Sequence, residues 1–124
     1  MKDEKFGKSH YNHPDYTVTR DGRVYSWKSG QPVQMAGHRT TDGKMVYGLD
    51  GTLAAGHWLV MEIWGGDQTD NICQGRKIKH IDANGCNNDL DNLCYMTQAE
   101  YNEFRRWYKG FYNEILRLKQ TGYR

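Results

Sequence analysis

KHIDANGCNNDLDNLCYMTQAEYN, residues 79–102, is the stretch that decides the fold. Residues 77–81 alternate as a short strand does, and residues 93–96 read as a second one. Between them, residues 82–92 hold Asn84, Asn87, Asn88 and Asn92 together with Asp82, Asp89 and Asp91. Asn and Asp side chains accept from the backbone two residues on, so a loop this rich in them satisfies its own polar groups and is expected to be compact. Thr97 and Glu100 then have the spacing of a capping box, in which each side chain serves the other's backbone N–H. Beyond them Tyr101, Phe104, Tyr108, Phe111, Tyr112 and Ile115 recur at helical spacing, which predicts one helix to about residue 119 with an aromatic core face. Asn102, Arg105, Arg106 and Lys109 share the neighbouring polar stripe. Trp107 lies off the apolar stripe and is a candidate for stacking on a base.

Upstream, the octet HWLVMEIW at residues 57–64 is followed by Gly65 and Gly66. An apolar octet with a double-glycine stop suits a short buried helix, since glycine accepts a left-handed C-cap. Residues 66–76 read as a polar loop. The N-terminal half carries three Asp-Gly pairs, at residues 21–22, 42–43 and 50–51. Asp-Gly favours the two-residue type I′ hairpin turn, because both central positions need positive φ. A β-meander is therefore expected, with strands at 16–20, 23–27, 44–49 and 52–55. A two-residue turn at 21–22 sets Val18 opposite Tyr25 and Tyr16 opposite Trp27.

The composition suits a single domain spanning residues 1–124. Apolar residues make up 37% of the chain and charged residues 26%, enough for a modest core, and aromatics at 13% make much of that core rings. No apolar run is long enough to span a membrane, and the N-terminal MKDEKFGKSH lacks the apolar centre of a secretory signal. An intracellular, non-membrane protein is expected. Net charge is only +2, with acidic residues concentrated in 66–92. Arg105, Arg106, Lys109, Arg117, Lys119 and Arg124 make the C-terminus basic, which suits either a phosphate-tracking surface or a solvated helix face. Cys73, Cys86 and Cys94 are odd in number and form no C-x-x-C pair, so neither a disulfide framework nor a structural zinc is expected.

The order strand, His80, Asn-rich loop, strand, capped helix is the layout of a ββα-metal nuclease site, in which an imidazole deprotonates water beside a bound cation. The residues quoted above resemble the phage-type HNH homing endonucleases. His80, Asp82, Asn84, the Asn87-Asn88 pair, Asn92-Leu93, Thr97 and Glu100 match that family's spacings. GHWLVMEIW is similar to its preceding helix, and DYTVTRDGRVYSW to the small strand module often found ahead of it. The resemblance implies an α+β fold in three parts: an N-terminal antiparallel β-meander over residues 15–55, a short buried helix with an HNH hairpin-helix core over 56–109, and a C-terminal helix extension over 110–124.

The resemblance further implies hydrolysis of phosphodiesters in double-stranded DNA, with no membrane partner. A phage gene acting in the cytoplasm of a bacterial host would fit. His80 would be the general base and Asn92 the residue that holds loop and hairpin together. A divalent ion, Mg²⁺ or Mn²⁺, would be ligated by His80 and Asn102. Relatives often place Asp or Asn just before the histidine and close T-x-x-E-N with Asn, where this chain has Lys79 and Tyr101. Either Asn102 reaches the metal from a shifted helix start, or the site is incomplete. Arg105, Arg106 and Lys109 would hold the DNA backbone, with Arg20, Arg23 and Lys28 extending the contact. The alternative is a catalytically degenerate HNH fold serving as a DNA-binding module or as an inhibitor of a host protein. His57 is expected to be a satisfied helix-start histidine, and His10, His13 and His38 surface residues. Asp82 and Asn84 are expected to cap the loop.

Overall fold

The structure, a computed structural model, describes the backbone of residues 4–120 and the side chains of residues 5–110. Strands β1 (Lys8–Ser9), β2 (Tyr16–Val18), β3 (Val24–Ser26) and β4 (Val33–Gln34) form an antiparallel sheet in that order. Strands β5 (His38–Arg39), β6 (Met45–Leu49) and β7 (Thr52–Ala55) form a second. Helix α1 (Gly56–Trp64) follows β7 without a break, and α2 (Thr69–Cys73) leads to the hairpin of β8 (Lys77–His80) and β9 (Leu93–Met96). Helix α3 (Gln98–Gln120) is the last element among the described residues. The architecture is α+β, with antiparallel sheets as expected. Among the described residues no helix is long and apolar enough to cross a membrane.

Two of the three Asp-Gly turns differ from the expected type. At 50–51 the two-residue turn forms, with φ of 52° at Asp50 and 83° at Gly51 and Leu49 paired with Thr52. At 21–22 the register is displaced by one residue: Val18 faces Val24 and Tyr16 faces Ser26, rather than Tyr25 and Trp27. The cause is Thr19. Its hydroxyl bonds the Asp21 carboxylate and accepts from Arg23 N at 2.8 Å, while Gly22 N reaches Thr19 O at 3.0 Å. The turn thus takes in Arg20 as well, a three-residue loop with glycine at its left-handed position. Thr40-Thr41-Asp42-Gly43-Lys44 repeats the device, with Lys44 N on Thr40 Oγ1 at 3.0 Å and Gly43 N on Thr40 O at 3.0 Å. A threonine two residues before Asp-Gly is what separates these turns from the one at 50–51.

The core lies where α1 covers the sheets. Val18, Val24, Leu49, Leu59 and Val60 are essentially sealed, and Leu93 joins them from β9. Trp64 pins α1 to β2 by donating from Nε1 to Val18 O at 2.9 Å. The left-handed residue after α1 is Gly66, at φ 74°, while Gly65 stays right-handed and donates to Met61 O. The 66–76 segment is not all loop. Asp67 accepts from the backbone N and the hydroxyl of Thr69, which starts the short α2. The aromatic stripe of α3 is also shallower than expected. Tyr101, Phe104 and Tyr108 are only partly buried, because α3 packs chiefly on β9. The side chains of Phe111, Tyr112, Ile115, Glu114, Arg117 and Lys119 lie outside the described residues, as does Arg124.

Candidate functional site

His80 ends β8, paired with Leu93 at the start of β9, so the Asn-rich loop hangs between them. Asn92 ties that loop shut. Its Oδ1 accepts from Asp82 N at 3.0 Å, and its Nδ2 donates to Asp82 Oδ1 and Asn87 O, both at 2.9 Å. Asp82 also accepts from Asn84 N and Asn87 Nδ2, each at 2.8 Å, and Asn84 accepts from Cys86 N. Burial raises the Asp82 pKa, yet the bonds from Asn87, Asn84 and Asn92 outweigh it and leave the carboxyl below its ordinary value. Both residues have the loop-capping part expected of them.

The ring of His80 is aimed by a residue whose part the sequence reading did not assign. Nε2–H donates to Asn88 Oδ1 at 2.8 Å, and both side chains are buried. An amide oxygen can only accept, so the proton sits on Nε2 and the Nδ1 lone pair is left to take another. Asn88 is gripped from two sides. A Cβ on Gly56, at the start of α1, would collide with its amide nitrogen, and one on Gly22 would come within 2.9 Å of its Cβ. Arg20 adds a backbone bond to Leu90 N at 2.9 Å and an ion pair with Asp91 at 2.6 Å. The second Thr-x-Asp-Gly turn docks on the same loop, where Cys86 Sγ lies 3.5 Å from Gly43 O. The strand module is therefore the scaffold of the loop.

Beside His80 lies a cavity of about 210 Å³ lined by Asp42, Lys44, Lys79 and Tyr101 among others. A neighbouring cavity of about 410 Å³ shares Lys44 and Lys79 and adds His57, Trp58, Arg76 and Lys77. His57 stands edge-on to the His80 ring at 5.2 Å, and its buried Nδ1 has no hydrogen-bond partner, so it is not the satisfied histidine expected. Burial, with lesser help from the charges of His80 and Lys44, lowers its pKa from 6.5 to about 4.

These residues do not fit a divalent cation. Mg²⁺ asks for oxygen donors, normally including a carboxylate. The residue before His80 is an ammonium, bonded through Nζ to Gln98 Oε1 at 3.0 Å. Tyr101 donates its hydroxyl to His80 O at 3.0 Å. Both oxygens of Asp82 serve the loop, and Asp42 bonds the Thr40 hydroxyl and lies 3.9 Å from Lys44 Nζ. Asn102, the expected helix ligand, accepts from Gln98 Nε2 at 2.9 Å on the exposed face of α3, and Tyr101 lines the cavity in its place. Among the described residues no three His, Cys, Asp or Glu side chains gather as a metal site requires.

The basic residues divide into two groups. Arg20 pairs with Asp91, Arg23 with Asp21 at 3.1 Å, and Lys28 with Asp50 at 2.6 Å. Arg106 and Lys109 are exposed on α3, with Trp107 between them in sequence and 61% exposed. Arg105 bonds Ile81 O at 2.8 Å, so it also braces the strand end that carries His80. Of the three histidines expected at the surface, His10 is buried, because Nε2–H donates to Glu62 Oε2 at 2.9 Å and Nδ1 accepts from Asn12 N at 3.1 Å. His13 bonds Asp50, and His38 is exposed.

No protein-family model matches the chain, and no curated protein matches it. Among solved structures the chain is similar to the HNH homing endonuclease I-HmuI, in a structure describing DNA binding and cleavage by that enzyme. The TM-score is 0.61 and the identity 25%, over 91% of this chain and 67% of that one. In structure, then, the chain resembles the HNH homing endonucleases.

Proposed function

From that resemblance we propose that the chain is an HNH-type endonuclease that hydrolyses phosphodiester bonds in DNA with His80 as general base. The observation that carries this reading is the bond from His80 Nε2–H to buried Asn88, which in the neutral ring leaves the lone pair on Nδ1. A catalytic base needs its lone pair held toward the reacting water, and a buried amide acceptor on the opposite nitrogen does that. His80 takes a proton from water, the water oxygen bonds to phosphorus, and the ester P–O bond breaks. The leaving oxygen then takes up a proton. Asn92 keeps the loop closed beneath the ring. Arg106 and Lys109, exposed on α3, would hold the DNA backbone, with Arg105 close by.

The test is nicking of supercoiled plasmid by the purified protein, beside His80→Ala. Nicking that the variant loses supports the reading, and intact plasmid under every ionic condition overturns it. A second reading is favoured by Lys79 and Tyr101, which replace oxygen donors beside the ring: the same fold binding DNA without cutting it. That reading predicts equal DNA affinity for the wild type and His80→Ala and no nicking by either.

A further inference from the structure

We propose that the cavity beside His80 takes the scissile phosphate directly on the ammonium groups of Lys44 and Lys79, with no divalent cation between them. The identity of the ligand rests on the nuclease reading above. The anion site itself rests on what lines the cavity.

Lys44 and Lys79 arrive from separate elements. Lys44 follows the second Thr-x-Asp-Gly turn and is fixed there by the bond from its backbone N to Thr40 Oγ1. Lys79 lies on β8 one residue before the base, its ammonium held by Gln98 and 5.3 Å from the centre of the Tyr101 ring. Both line both cavities, so they stand where the two adjoin. Among the described residues Asp42 is the one carboxylate lining the smaller cavity, and its distance of 3.9 Å from Lys44 Nζ is a loose pairing that a dianionic or diester oxygen can displace. The larger cavity carries Lys44, Arg76, Lys77 and Lys79 and, among the described residues, no carboxylate. Arg76 is neutralised by Glu100 at 3.0 Å, which leaves Lys44, Lys77 and Lys79 as the other basic residues of its wall. Such a wall attracts phosphate and repels Mg²⁺.

The chemistry balances without a metal. His80 Nδ1 accepts a proton from water as the new P–O bond forms. The ester P–O bond breaks, and the leaving oxygen takes a proton from the Lys79 ammonium. Solvent then reprotonates Lys79 and removes the proton from His80. Two ammonium groups on the phosphate oxygens offset the charge that builds in the transition state.

The protein is followed by NMR at the His80 ring, first with MnCl₂ alone and then with inorganic phosphate. Plasmid nicking is measured in parallel with EDTA and with Mg²⁺. We expect Mn²⁺ to leave the His80 signals sharp and phosphate to shift them saturably. Lys44→Gln with Lys79→Gln should weaken phosphate binding about tenfold or more, since each ammonium supplies a charge-assisted hydrogen bond. Nicking should persist in EDTA. Selective broadening of His80 by Mn²⁺, or nicking that EDTA abolishes and Mg²⁺ restores, overturns the inference and leaves the nuclease reading standing. Absence of nicking in both conditions overturns the nuclease reading, and the phosphate titration then decides the anion site alone. A second variant, Lys79→Asp with Tyr101→Asn, places two oxygen donors beside the ring. It should make His80 sensitive to Mn²⁺ and any nicking sensitive to EDTA. A variant as blind to Mn²⁺ as the wild type, while still folded, shows that those two side chains do not govern the site and overturns the inference as well.

Discussion

Asn88 accepts the Nε2 proton of His80 at 2.8 Å from within the loop that the N-terminal turns hold in place. Neither residue is useful alone. Without the acceptor the imidazole is free to change tautomer or to rotate. Asn88→Ala should therefore lower the nicking rate by about 10–100-fold, as loss of a residue that orients a functional histidine commonly does. DNA affinity, read by gel shift, should stay within about twofold, since a buried amide touches no phosphate. Equal loss of binding and cleavage would show that Asn88 shapes the DNA surface instead.

The grip of α1 on Asn88 gives a stability test. Gly56 has space for no side chain, because a Cβ there would meet the Asn88 amide nitrogen and approach the Tyr47 ring at 3.2 Å. Gly56→Ala should cost about 1–3 kcal/mol, the usual range for overpacking a filled site. Adding Asn88→Ala removes the group that collides, so the double variant should unfold in urea at a higher midpoint than the sum of the single effects predicts. Strict additivity would mean that Tyr47 or the backbone carries the strain.

What the sequence disclosed follows from how local each cause is. Thr97 and Glu100 are three residues apart, and the reciprocal bonds form as expected, at 2.8 and 3.1 Å. The turn at 50–51 was legible for the same reason, whereas the Asn92 clamp, which spans 10 residues to Asp82, was expected from the resemblance. At 21–22 the dipeptide rule failed because Thr19, outside the pair, bonds both Asp21 and Arg23. The position of His80, at the end of a strand and ahead of the loop, was legible from the order of the elements. Lys44 was not, because only the docking of Gly43 against Gly85 and Cys86 brings the second turn to the histidine. His10 was misplaced for a similar reason, its partner Glu62 being on α1, far along the chain. Asn102 is expected as a metal ligand from a shifted helix start, but the start does not shift and Tyr101 lines the cavity in its place.

Acid should destabilise the fold in two separate windows. His57 is held neutral, its pKa lowered from 6.5 to about 4 chiefly by burial. Below pH 6.5 the unfolded chain binds a proton that the folded chain refuses, so stability falls as pH drops from about 6.5 toward 4. Glu100 is held charged, its pKa lowered from 4.5 to about 2 by Arg76 and by the Thr97 backbone N–H. Its contribution is present above about 4.5 and is lost as pH falls toward 2. Urea midpoints across this range should decline in both windows. His57→Gln should flatten the upper one and leave the lower one in place. A variant that still declines between pH 6.5 and 4 would assign that window to other groups.

The two groups of basic residues should separate in their response to salt. Each phosphate contact neutralised by a Lys or Arg adds about 0.9 to the slope of log affinity against log salt. Arg106→Gln and Lys109→Gln, on the exposed face of α3, should each weaken DNA binding and lower that slope by about one. Arg20 already spends its guanidinium on Asp91 and its carbonyl on Leu90. Arg20→Gln should leave the slope unchanged, reduce stability slightly, and lower nicking only as far as the loop beneath His80 loosens. A drop of a full unit in the slope for Arg20→Gln would mean that the ion pair opens on binding, and would place DNA across the strand module as well as along α3.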